Sequence, residues 1–286
     1  MFIRNSENPH AFQLRLFSEM NIQSCQGLLM DKNHKFTAVI EACECQDPSE
    51  LSLRPFSDDV MYCKLVFARE LGVPFYMIYY SDQYFRIFEI SERNGVLYYD
   101  TRSVFPEKDF AKWWGRLKQT SQNKLLNNGG ENRIAKTIFD TVLRNYGFEW
   151  GGNIDGFMLT ESKTHVKCIV DNISVSHGLA NDEPGRYFNS SNPKHGPRYD
   201  GWYASVKCSH LLKVPHLLFT FDKKDPLKES IGLTIISNLT PQHIEFKDNI
   251  CANQNVVSGL KNIKDAVNIL CLTSFPPDFE DIYETS

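Results

Sequence analysis

The chain has 286 residues, 42% of them apolar and 13% aromatic, so it can bury the core of one large domain or of two ordinary ones. Its net charge of −4 excludes the bulk cationic field of a nucleic-acid coat protein, although a basic cleft can sit in an acidic chain. The start, Met1 to His10, has no long apolar run of the signal-peptide kind, and no segment approaches a membrane span. Eight scattered cysteines, several inside apolar patterns, read as reduced core thiols, so the expected location is cytoplasmic with no membrane partner.

In chain order, Pro9 to Met20 places Phe12, Leu16 and Met20 at helical spacing, with Asn8 as its cap. A hairpin over 26–44 follows, then a loop to Ser57 containing Pro48 and Pro55. Asp58 to Leu71 is an amphipathic helix closed by Gly72, and Val73 to Tyr80 reads as a strand buried on both faces. Tyr84–Ser91 and Gly95–Tyr99 form a strand pair around Asn94-Gly95. Lys108 to Gln119 is a helix bearing Trp113 and Trp114, for which core packing is the first use. Residues 121–130 cluster Asn, Gly and Ser as a linker. Beyond it Glu131 to Tyr146 is a helix ended by Gly147, and Ile154 to Ser174 is a second hairpin. His177 to Asp200 is a long polar loop, either a functional flap or a mobile segment. Trp202 to Leu212 is a helix, Val214 to Phe221 a buried strand, and the tail carries apolar runs at 231–236 and 266–272 before an acidic, frayed end.

The second hairpin repeats the first. Gln26-Gly27 matches Asp155-Gly156, and Glu41 matches Asp171. Upstream, Ser6-Glu7-Asn8 matches Gly130-Glu131-Asn132. Downstream, Asp59 to Tyr62 matches Asp200 to Tyr203, and Gly72-Val73-Pro74 matches Lys213-Val214-Pro215. The offset grows slowly along the chain, as duplication followed by loop insertion would leave it; chance likeness of two short hairpins is the alternative. The expected class is α/β, with a first lobe at 1–120, a linker at 121–130 and a second lobe at 131–286, each a mixed sheet flanked by helices.

The hairpin geometry also nominates a site. Asp155 begins one strand and Asp171 ends its antiparallel partner, so the two carboxylates should meet at one sheet edge. Like charges held together repel unless a cation intervenes, and hard oxygen ligands suit Mg²⁺. Solvated turn acids are the ordinary alternative. Arg186, Tyr187, Lys194, His195 and Arg198 in the long loop mix basic groups that contact phosphates with a ring that stacks on bases.

An acid at the start of one strand, an acid at the end of the next, then a helix and a buried strand resembles the PD-(D/E)XK nuclease superfamily, which includes the restriction endonucleases. The resemblance implies two restriction-endonuclease-like lobes, Asp155 and Asp171 as metal ligands for Mg²⁺, and hydrolysis of double-stranded DNA. Enzymes that cut symmetric sites present two active sites by dimerising, so it also implies a candidate homodimer. The motif is incomplete in both lobes. Ile154 stands at the proline position and Ile173 at the lysine position of the second lobe; Gln26 replaces the first acid and Cys43 the lysine of the first lobe. Lys167, Lys207 and, in the first lobe, Lys64 are the candidate replacement cations, and Glu131 a candidate third ligand. The alternative is a non-catalytic DNA-binding or regulatory protein on a degenerate nuclease scaffold.

Overall fold

The computed structural model describes residues 17–45, 56–82, 84–119, 138–148, 154–175, 199–222, 230–253 and 257–283. Its elements run β1 (Gln23–Ser24), β2 (Gly27–Met30), β3 (Phe36–Glu44), α1 (Asp58–Glu70), β4 (Phe75–Tyr80), β5 (Tyr84–Arg93), β6 (Val96–Pro106), α2 (Glu107–Leu117) and α3 (Ile138–Asn145). They continue with β7 (Gly156–Leu159), β8 (Val166–Val175), α4 (Tyr199–Leu212), β9 (His216–Asp222), β10 (Ser230–Leu239), β11 (Ile244–Asn253), α5 (Val257–Thr273) and β12 (Asp278–Phe279). The protein is α/β, with two mixed sheets flanked by helices.

The first unit is a five-stranded sheet in the order β2-β3-β4-β5-β6. Only β3 and β4 run parallel; the other neighbours are antiparallel. Helix α1 forms because Ser57 caps Val60 N–H, Asp58 and Asp59 sit at the positive end of the helix dipole, and Arg69 sits at the negative end. It makes the crossover that parallel neighbours require. One sheet face carries Leu29, Ala38, Ile40, Ala42, Ile78, Tyr80, Phe85 and Ile87 against α2 and α3. There Phe110 stacks on Phe85 at 4.1 Å between ring centroids, and Trp114 is fully buried. Trp113 meets the edge of Tyr76, so both tryptophans pack internally. The other face turns Val39, Glu41, Phe75 and Met77 the opposite way, as the period of two dictates.

The second unit repeats that order. Strands β7-β8-β9-β10-β11 correspond one for one to β2-β3-β4-β5-β6, with β8 and β9 as the parallel pair. Even the register agrees: Val39 lies opposite Phe75, and Ile169 opposite His216. Strands β1 and β12 are additions, pairing with β7 and β10. The described residues of the tail form two long strands, a helix and a last short strand, and residues 284–286 lie outside them.

The expected linker at 121–130 lies outside the described residues. One compact unit takes Met1–Ser6 with Cys25–Asn153, the other Glu7–Ser24 with Ile154–Ser286. Phe139, Val142 and Leu143 of α3 lie in the core of the first unit, whereas Phe17, Met20 and Ile22 lie in the core of the second. The helix before each hairpin thus packs in the unit of the other hairpin. An amphipathic stripe states that a helix is buried, and says nothing of which sheet buries it. Both helices end alike, with Asn21 or Gly147 at positive φ and the next N–H returning to Phe17 or Leu143.

Candidate functional site

The hairpin geometry brings Asp155 and Asp171 together. Asp171 Oδ1 accepts from Asp155 N–H at 3.1 Å, and Asp155 Oδ2 accepts from Asn172 N–H at 2.8 Å. The first unit builds the same reciprocal pair from its own residues. Glu41 Oε1 accepts from Gln26 N–H at 3.2 Å, and Gln26 Oε1 accepts from Ala42 N–H at 2.5 Å. In each unit the side chain at the strand start satisfies the backbone just past the acid, and the acid satisfies the backbone of the strand start.

The two units differ in the group that meets the acid. In the first, Lys64 Nζ on α1 donates to Glu41 Oε1 at 2.8 Å, with both side chains 1% exposed, and Phe56 lies 5.0 Å from the ammonium. Glu41 Oε2 and Gln26 Nε2 are buried without a hydrogen-bond partner among the described residues. In the second unit, His216 Nε2 on β9 lies 3.0 Å from Asp171 Oδ2. His216 is fully buried, while Asp171 keeps 12% of its side chain exposed. The alignment that matches Tyr62 to Tyr203 places Ser205 where the first unit has Lys64, and His216 where it has Phe75. The polar partner has moved from helix to strand and an apolar ring has given way to it.

The proposed replacement lysines do not gather here. Lys207 is 3% exposed and donates to Asp281 Oδ2 at 2.7 Å and to Tyr203 OH at 3.1 Å. It stands two residues beyond Ser205, which turns a helical side chain by roughly 200°, so it faces the C-terminal segment rather than the acids. Around it Tyr203 OH donates to Asp281, Tyr199 OH donates to Glu280 C=O, and Phe279 packs on Tyr199 and Tyr203. Burial raises the Asp281 carboxyl, but the hydrogen bonds from Lys207 and Tyr203 outweigh it and hold the group below the usual carboxylate range. Lys167 donates to Asn268 Oδ1 at 2.9 Å. Glu131 and the loop residues Arg186, Tyr187, Lys194, His195 and Arg198 lie outside the described residues.

Two groups escaped the reading of the sequence: His216 as the partner of Asp171, and Asp281 as the partner of Lys207; Lys64, the candidate cation of the first lobe, does meet Glu41. The register of Val214-Pro215-His216 against Val73-Pro74-Phe75 was the available signal for His216. A histidine replaces a phenylalanine in an otherwise apolar strand, and a buried polar group needs a partner.

Among the described residues no group of three or more His, Cys, Asp or Glu side chains is arranged to hold a metal ion. Two carboxylates on one partly open edge remain the oxygen donors, and Mg²⁺ is commonly held by one or two carboxylates with water and substrate phosphate completing its shell. Carboxylates that also accept backbone N–H bonds retain lone pairs for a cation. No family model, curated protein or solved structure matches the chain.

Proposed function

We propose that the second unit is a metal-dependent phosphodiesterase site for double-stranded DNA on a scaffold like that of the PD-(D/E)XK nucleases, with the first unit its degenerate copy. The observation that carries this reading is the meeting of Asp155 and Asp171 at an edge that solvent reaches, against a Gln26–Glu41 pair sealed by Lys64. A reactive centre has to admit substrate, and only the second unit leaves its acid partly open. Asp155 and Asp171 would hold Mg²⁺, which when bound supplies positive charge at the phosphate and a more acidic water. His216 keeps Asp171 in a single orientation, and Asn172 N–H does the same for Asp155. The partner is duplex DNA, and a homodimer would present two such sites to a symmetric target.

A specific observation favours a second reading, a non-catalytic DNA-binding or regulatory protein. Lys207 is committed to Asp281 and Lys167 to Asn268, so neither supplies the lysine of the nuclease pattern.

The deciding experiment incubates the purified chain with plasmid DNA and Mg²⁺, Mn²⁺ or EDTA, and runs gel retardation in parallel. Cleavage that needs the metal and is lost in Asp155→Asn and Asp171→Asn, both still folded by circular dichroism, supports the nuclease. Retardation without cleavage under either metal supports the binding protein. Neither activity removes both readings.

A further inference from the structure

We propose that the outer face of α5, over its C-terminal half, docks a second copy of this chain, two such helices packing antiparallel about a two-fold axis near Leu272. This surface serves the homodimer of the nuclease reading, on which its biological use rests. Self-association is read by mass and cleavage by products, so either can fail without the other.

Helix α5 follows the amphipathic rule through Asn268 and then breaks it. Ile263, Val267 and Leu270 are buried in one cluster with Cys168 and Val170 of the sheet. The opposite side carries Lys261, Lys264, Asp265 and Asn268, all exposed, as a solvent-facing stripe should. From Ile269 onward that same side turns apolar. Ile269 is 59% exposed, and Leu272 and Phe275 follow at steps of three, each 84% exposed. No other large apolar side chain among the described residues is as exposed as Leu272 and Phe275. Phe275 lies just past the helix end, where Pro276 and Pro277 stop it. Leu211, 54% exposed, belongs to the same corner, because its neighbour His210 lies 3.0 Å from the Pro277 carbonyl.

The charges at the two ends of the stripe say what covers it. Towards the helix N-terminus lie Lys261 and Lys264, with Asp265 the one acid among them; beyond the C-terminus lie Asp278 and Glu280, both exposed. Among the described residues the side chains of Lys261, Lys264, Asp278 and Glu280 form no ion pair. A patch that runs from basic through apolar to acidic is its own complement after a half rotation. The apolar centres then meet, and each basic end faces the partner's acidic end. An anionic membrane surface would attract the basic end but repel the acidic one, so a second copy fits both ends and a membrane only one. Helix α5 covers the face of β8 that carries Cys168 and Val170, and Asp171 points to the other face. A copy seated on α5 therefore leaves the candidate site uncovered.

The full-length chain is followed by light scattering and sedimentation over a range of concentrations. The wild type is expected to pass from one chain mass to two as concentration rises. Leu272→Glu, at an exposed position and checked for folding by circular dichroism, should weaken self-association roughly tenfold or more. The antiparallel arrangement is tested by charge reversal, with Lys261→Glu and Lys264→Glu in one chain and Asp278→Lys and Glu280→Lys in another. Each doubly substituted chain alone should be monomeric, and an equimolar mixture should recover the dimer, because each then offers the other's complement at both ends. A single chain mass at every wild-type concentration overturns the proposal, as does a dimer that Leu272→Glu leaves intact or a mixture that stays monomeric. Wild-type binding to vesicles of anionic lipid that Leu272→Glu abolishes, with no dimer in solution, also overturns it and assigns the stripe to a membrane. If a charge-reversed chain fails to fold, the comparison of wild type with Leu272→Glu decides by itself.

Discussion

The ammonium of Lys64 lies 2.8 Å from Oε1 of Glu41, with both side chains 1% exposed, and the matching position of the second unit holds Ser205. A charge buried this deeply depends on its partner. Removing Lys64 alone leaves a carboxylate in the interior, so Lys64→Met should lower stability by about 3–5 kcal/mol. The double variant Lys64→Met, Glu41→Leu should recover most of that loss. Urea unfolding of the two proteins measures the difference, and equal destabilisation of both would show that the pair is not the cause.

The move of the polar partner from α4 to β9 can be reversed. His216→Phe leaves Asp171 Oδ2 without its 3.0 Å partner and should cost about 1–3 kcal/mol. Adding Ser205→Lys places an ammonium at the position from which Lys64 reaches Glu41, and should restore stability towards wild type. Chemical denaturation of the single and double variants tests the equivalence of the two units. A double variant no better than the single would mean that the helices are not matched as Tyr62 to Tyr203 implies.

Asp281 gives the C-terminal segment a pH dependence. Its carboxyl is held below the unfolded value of about 3.9, so its contribution is present above that pH and is lost as pH falls through the lower folded value. Asp281→Asn should lower the melting temperature near neutral pH and should approach wild type only as pH falls through the lowered folded value of the carboxyl. Thermal unfolding followed across pH 3 to 7 reads this convergence. A gap that stays constant down to the acid limit would exclude the Lys207–Asp281 pair as its source.

Gly156 is tied to a close approach. A Cβ there would meet Gln23 C=O at 2.7 Å and Ile22 Cγ2 at 2.7 Å. The first of these is backbone of β1, hydrogen-bonded to β7, so it cannot swing aside. Gly156→Ala should destabilise the second unit by about 1–3 kcal/mol, by loss of the β1–β7 pairing. Amide hydrogen exchange at Gln23 and Phe157 localises the effect; unchanged protection there would refute it.

Much of the fold was legible in the chain because its signals are local. The hairpin at Gly156–Leu159 and Val166–Val170, the helix after Ser57 and the apolar run 75–80 follow from periodicity, capping and turn chemistry, which act over a few residues. The meeting of Asp155 with Asp171 was legible for the same reason, since an antiparallel hairpin sets one strand's start beside its partner's end. The duplication was legible as a repeated order of residue types.

Partner choice was decided only by the tertiary structure. The helix ending at Met20 and α3 carry interchangeable apolar stripes, and dispersion and burial do not record which sheet covers them; the fold settles that by segment connection and volume. Lys207 and Lys64 looked equivalent as basic residues on matching helices, but two residues of helical rotation send one to Asp281 and the other to Glu41. The sequence by itself determined two α/β repeats and where their acids fall. Which helix each repeat buries, and which polar partner each acid meets, depended on long-range packing, whose contacts join residues far apart in the chain and leave no periodic trace in it.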